Sequence, residues 1–170
     1  MKHYAPQPTK PRIPPLKLPP FHAVQTRARV DGWTPIRQAE FIGYLAETRS
    51  VSAAAKAVFM TRESAYRLRK RAGAEGFAAV WDMALARRDT QAGQEAFYTA
   101  HVAARAALSP SRKVTLDALN RRFGTGKYQA VLYCGRFAYV RQVYDTKALF
   151  VMLRRVGRSL SAQRRMRQHA

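Results

Sequence analysis

Cysteine is all but missing from these 170 residues, with Cys134 the single one. A disulfide framework and a cysteine-based zinc site both need more thiols than that, so both are excluded, and a reducing cytoplasm fits. Acids are scarce as well: 10 Asp and Glu stand against 31 Lys and Arg, a formal net charge of +21 at pH 7. No acid precedes Asp31. No apolar run approaches the roughly 20 residues that cross a bilayer, and no continuous apolar stretch follows Lys2, so neither a membrane span nor a signal peptide is expected. Charge alone would suit a mitochondrial-type presequence, but the prolines near the start argue against an amphipathic helix there.

What is present in excess is positive charge, and its economical explanation is a polyanionic partner, nucleic acid being the commonest. A basic ribosomal or membrane-surface protein is the alternative. The proline-rich "APQPTKPRIPPLKLPP" holds too little contiguous apolar surface to offset its ordering entropy, so residues 1–33 read as a flexible basic arm.

Folded structure is expected from "WTPIRQAEFIGYLAET" onward. Thr34 can cap a helix with Pro35 in its first turn, and Ile36, Phe41, Tyr44 and Leu45 approximate one face. Arg49 and Ser50 break into a second helix over 51–58, a third follows over 62–71, and "FAAVWDMALARR" repeats Phe77, Trp81 and Leu85 every four residues. Residues 34–88 thus form a three- to four-helix domain. An alanine-rich helical connector spans 89–127, including a short helix from Thr115 to Gly124. In "YQAVLYCGRFAYVRQVY" the period changes to that of a β-hairpin, turning at Cys134-Gly135 or Gly135-Arg136. Asp145 can cap a last helix ending near Gly157, so 128–157 is hairpin plus helix, and 158–170 reads as a second basic tail. The fold class is mainly α.

Between Ser50 and Arg71, "SVSAAAKAVFMTRESAYRLRKR" sets three alanines beside a dense run of cations. Small residues let two helices approach closely. Ala55 suits the contact point of a helix-turn-helix, and Val58, Met60, Ala65 and Leu68 fall where that motif needs apolar groups. Its turn usually carries glycine where this chain has Phe59, a substitution costing roughly 1 kcal/mol or more at positive φ. With the apolar positions assigned, Thr61, Arg62, Glu63, Tyr66, Arg67 and Lys70 form the exposed face. Arg62 or Arg67 can pair with guanine, Glu63 with cytosine N4, and Tyr66 with a thymine methyl or a phosphate. Arg69, Lys70 and Arg71 suit phosphates.

The longer stretch from "F-x-x-x-L-A-E-T" through "V-S-A-A-A" and "R-E-S-A-Y-R-L-R-K-R" to "F-A-A-V-W-D-x-A-L" resembles the helix-turn-helix region of phage small-terminase-like proteins and related phage-derived bacterial DNA-binding proteins. It covers about a third of the chain, and "VLYCGRFAYVRQVYDTKALFVMLRR" is more loosely similar to a hairpin and helix in some of them. The resemblance implies a homeodomain-like unit, duplex DNA as partner, frequent oligomerisation, and a place in the bacterial cytoplasm or nucleoid. It does not separate a transcriptional regulator from a packaging factor.

Other chemistry finds little footing. His3, His22, His101 and His169 are scattered, and metal sites need converging ligands. "GTGK" lacks the spacing of a phosphate loop. Glu40, Glu47, Glu75 and Asp82 are explained by solvated helix faces, so no catalytic residue, metal or cofactor is expected, and a nuclease subunit would need an acidic cluster that cannot be assembled. Tyr128, Tyr133, Phe137 and Tyr139 can stack bases, though cross-strand pairing is the commoner use. The rival to sequence-specific DNA binding is a nucleoid- or ribosome-associated binder acting mainly through charge.

Overall fold

The computed structural model describes residues 17–27, 29, 31–111 and 113–168, with 162–168 in backbone only. Thr34 accepts a hydrogen bond from the Arg37 N–H at 3.2 Å and starts α1 (Pro35–Thr48), with Pro35 where no donor is needed. Phe41, Ile42 and Leu45 are buried, whereas Ile36 is 55% exposed and lies off the apolar face expected of it. Arg49 turns through φ 56° and Ser50 caps α2 (Val51–Ala57). Thr61 then caps α3 (Arg62–Arg69), and α4 (Glu75–Leu85) follows. α5 (Gln91–Ala107) lies along α4, with Ala100 and Ala104 buried, and α6 (Leu116–Thr125) follows a short loop. The chain ends in β1 (Lys127–Tyr133), β2 (Arg136–Val143) and α7 (Thr146–Gln168).

The core is aromatic. Trp81 lies 4.8 Å from Phe41 and 5.9 Å from Phe77 between ring centroids, and Trp33 meets Phe41 edge-on at 5.5 Å. Such pairs add about 0.5–1.5 kcal/mol each beyond the area they bury.

Three boundaries differ from the sequence expectation. The arm does not extend to residue 33: residues 1–16 lie outside the described residues, but Leu18, Phe21, Val24 and Trp33 belong to the core. Phe21 packs edge-on against Phe77 at 5.7 Å and exchanges two backbone hydrogen bonds with Tyr128, each 2.9 Å. The segment therefore ties to β1 as a strap. Its prolines supply no N–H groups to satisfy, and the few apolar side chains between them suffice because a ready-made hydrophobic surface receives them. Buried Gln38 secures the other end: its side-chain oxygen accepts from the Val24 N–H at 2.8 Å, and its amide donates to the carbonyls of Val24 and Trp33.

The hairpin, second, begins at Lys127, one residue inside the expected connector, and is docked on the helical domain. It packs on α1, where Phe137 meets Tyr44 at 4.9 Å and its N–H donates to the Glu47 carboxylate at 2.9 Å. A Cβ at Gly43 would fall inside the Phe137 ring, so α1 offers bare backbone as the seat. The turn is Cys134-Gly135, with φ 49° and 81°, the sign pattern of a two-residue type I′ turn. The register shifts between Val131 and Leu132.

Third, the 158–170 tail is helical through Gln168, continuing α7 for three turns past its expected end. Arg155 of α7 donates to the Val114 carbonyl, holding the helix to the loop before α6.

At the start of α7 lies a buried ionic knot. Asp145 is fully buried, with His22 Nε2 at 3.0 Å, Lys127 Nζ at 3.4 Å and Arg122 Nε at 4.0 Å. His22 Nδ1 stands 3.2 Å from the Gly126 carbonyl. Burial, helped by the Arg122 and Lys127 cations, holds the His22 imidazole below its ordinary pKa, against the upward pull of Asp145 and Gly126. The strap, α6, β1 and α7 meet at this one carboxylate.

Candidate nucleic-acid interface

The α2–α3 pair is built on small side chains. Ala54 and Ala55 are buried under α3, with Val58, Ala65 and Leu68 buried beside them and Met60 half-buried. Any larger group at Ala55 would push the helices apart. Between them the Met60 N–H returns to the Ala55 carbonyl at 2.9 Å, and Phe59 takes φ 59°. An L-residue there costs about 1–2 kcal/mol, and Phe59 holds it with its ring 91% exposed.

α3 carries the charge. Arg62, Glu63 and Arg67 on the helix, and Lys70 and Arg71 just past its end, are all exposed. Thr61 is exposed too, but its hydroxyl oxygen accepts from the Ser64 N–H at 3.2 Å and is committed to capping. Tyr66, expected on this face, and Arg69, expected on a phosphate, are placed elsewhere. Tyr66 is half-buried, its ring 5.5 Å from Trp81, with the Arg62 guanidinium over it at 5.7 Å. Arg69 is drawn to Asp82 at 2.6 Å and lies over Trp81 at 5.4 Å, so it braces α3 against α4. Both follow from helical geometry: Tyr66 and Arg69 are three apart, on the flank between the open face and the Leu68 side.

The sequence reading also missed a neighbour of this face. The loop that leads into α1, described at residues 26, 27, 29 and 31–33, meets α3 where the Trp33 indole N–H donates to the Ser64 hydroxyl at 3.2 Å. Thr26 donates to the Trp33 carbonyl at 2.8 Å and Arg37 to the Gly32 carbonyl at 2.8 Å, closing the loop on itself and on α1. Arg27 and Arg29 are exposed on it. The signal for this was the single Trp33, an indole whose N–H asks for a partner when buried.

The hairpin aromatics divide. Tyr133 and Tyr139 are exposed, whereas Tyr128 and Phe137 pack toward the core. No group of three or more His, Cys, Asp or Glu able to share a metal stands among the described residues, and no helix among them is long and apolar enough to cross a membrane. Comparison with protein-family models, curated proteins and solved structures returns no match.

Proposed function

We propose that the protein binds double-stranded DNA, with α2 and α3 acting as a helix-turn-helix and α3 entering the major groove. The observation that carries this is the alanine-seated pair itself: its apolar positions are buried, its turn has the left-handed residue, and the face left open bears four cations and one acid. Arg62 and Arg67 have the fork geometry that pairs with guanine O6 and N7, and Glu63 can accept from cytosine N4. Lys70 and Arg71 suit flanking phosphates. Tyr66 and Arg69 are assigned to packing instead. The resemblance to phage small-terminase-like proteins supports a role as a transcriptional regulator or a packaging-type factor of bacterial origin, working as a homo-oligomer.

Selection from random duplexes tests the reading. A preferred sequence should emerge, and Arg67→Ala should weaken binding to it by about 1–3 kcal/mol while relaxing preference at one position. Uniform recovery of all sequences would instead favour a charge-driven structural binder, for which the net charge of +21 already speaks.

A further inference from the structure

Between α3 and the loop residues Thr26, Arg27, Arg29, Gly32 and Trp33 is an open cavity of about 500 Å³. Arg27 and Arg29 line it from the loop, and Arg67 and Arg71, one helical turn apart, line it from the other side. The floor is Trp33 and Ser64, joined by their hydrogen bond. No acid lines it; Asp31, on the same loop, is exposed and outside the lining. Like charges gathered around one hollow repel one another, an arrangement that costs free energy until an anion enters. The bonds of Thr26 to Trp33, Arg37 to Gly32 and Trp33 to Ser64 hold the loop beside α3, so the stems of the four arginines start from opposite walls of the same hollow.

We propose that this cavity is a phosphate seat, in which the four guanidiniums grip the oxygens of a phosphate or pyrophosphate group. Guanidinium forks match phosphate oxygens bidentately. Trp33 is buried, so its ring offers no face on which a nucleobase can stack, and recognition is of the phosphate alone. The source is either a phosphodiester of a DNA strand beside the groove that α3 occupies or a free phosphate-bearing small molecule. Only the first source rests on the duplex-binding reading; the seat itself does not.

Pyrophosphate is the direct probe. A ligand that binds the folded state raises its melting temperature by mass action. Pyrophosphate should raise the Tm of the full chain, and the rise should disappear in both R27Q/R29Q and R67Q/R71Q, while R105Q, an exposed arginine on α5, keeps it. Equal loss in R105Q, or retention in both double variants, overturns the seat in favour of diffuse charge. Circular dichroism at low temperature confirms that each variant folds. Competition then identifies the source. If a duplex displaces pyrophosphate, the strand supplies the phosphate, and R27Q/R29Q should weaken duplex binding several-fold with a log-salt slope shallower by about 1. If it does not, the seat serves a small ligand. A parent chain that binds pyrophosphate but no duplex leaves the seat standing and removes the DNA reading; one that binds duplex but shows no pyrophosphate shift does the reverse.

Discussion

Among single residues, Asp145 and His22 carry the most weight for stability. The carboxylate is wholly buried and has cations on both flanks, so removing it strands Lys127 and Arg122 in a partly buried site; losing one partner of a buried pair costs about 3–5 kcal/mol. His22 adds a pH dependence whose sign follows from its lowered pKa. The unfolded chain takes up the proton near pH 6.5 while the folded chain resists, so stability is full above that value and declines as pH falls below it. The Tm of the parent should therefore drop between about pH 7 and pH 5.5, and His22→Asn should flatten that part of the profile. Identical slopes in the two proteins would show that the titrating group lies elsewhere. Asp145 was legible as the cap of α7, where the Ala148 N–H donates to its side chain, but its pairing with His22 was not, the two lying more than a hundred positions apart.

For the helices and hairpin, local signals were legible and contacts between distant elements were not. Thr34 was legible as the cap of α1 because a short hydroxyl beside the first free N–H groups is a local event, and Thr61, expected on the DNA-facing surface, caps α3 by the same rule. The hairpin turn was legible to within one residue, with Cys134-Gly135 one of two candidate pairs, and the positive φ at Phe59 was legible for the same reason. The alanine seat could be read because both its helices fall within about twenty residues. By contrast, the Arg69–Asp82 bridge and the mating of Gly43 with Phe137 depend on how elements dock. That last contact makes a sharp comparison of two glycines. Gly→Ala within a helix ordinarily gains about 0.5–1 kcal/mol, and Gly124 of α6, with open space around it, should show that gain. At Gly43 the new methyl meets a ring pinned by Tyr44 and by the Glu47 bond, and overpacking of this kind costs about 1–3 kcal/mol. Clash outweighs propensity, so Gly43→Ala should lower the Tm while Gly124→Ala raises it. A rise in both would mean that the hairpin docks loosely on α1.

Across the whole molecule, the basic charge and an uncovered apolar stripe set opposing demands. Along α7, Phe150, Leu153, Val156 and Leu160 are exposed, and the helix contains no acid. Two copies joined along this stripe would bring like charges together, so self-association should strengthen as salt screens them. Duplex binding should weaken over the same range, because counterion release favours it only at low salt. Light scattering across a salt series checks the first half: a growing dimer fraction is the expected result, and a monomer at every salt concentration, free and on DNA, would exclude assembly through α7. The strap also changes how tail truncations are to be interpreted. Removing residues 1–30 takes away Leu18, Phe21 and Val24 from the core along with the charge, so lost binding would report unfolding as much as missing cations.

The strap also sets an order of assembly. Phe21 and His22 leave the ribosome more than a hundred residues ahead of their partners at Gly126, Tyr128 and Asp145. Val24 and the loop after it can already be held by Gln38, Arg37 and Ser64, but until Asp145 has cleared the exit tunnel the ties of Phe21 and His22 stay open. Contacts of such long sequence separation close slowly. A nascent chain stalled before β1 can already form its α2–α3 pair and the four-arginine cavity, but the end of the strap at Phe21 and His22 is secured only once β1 and Asp145 have emerged.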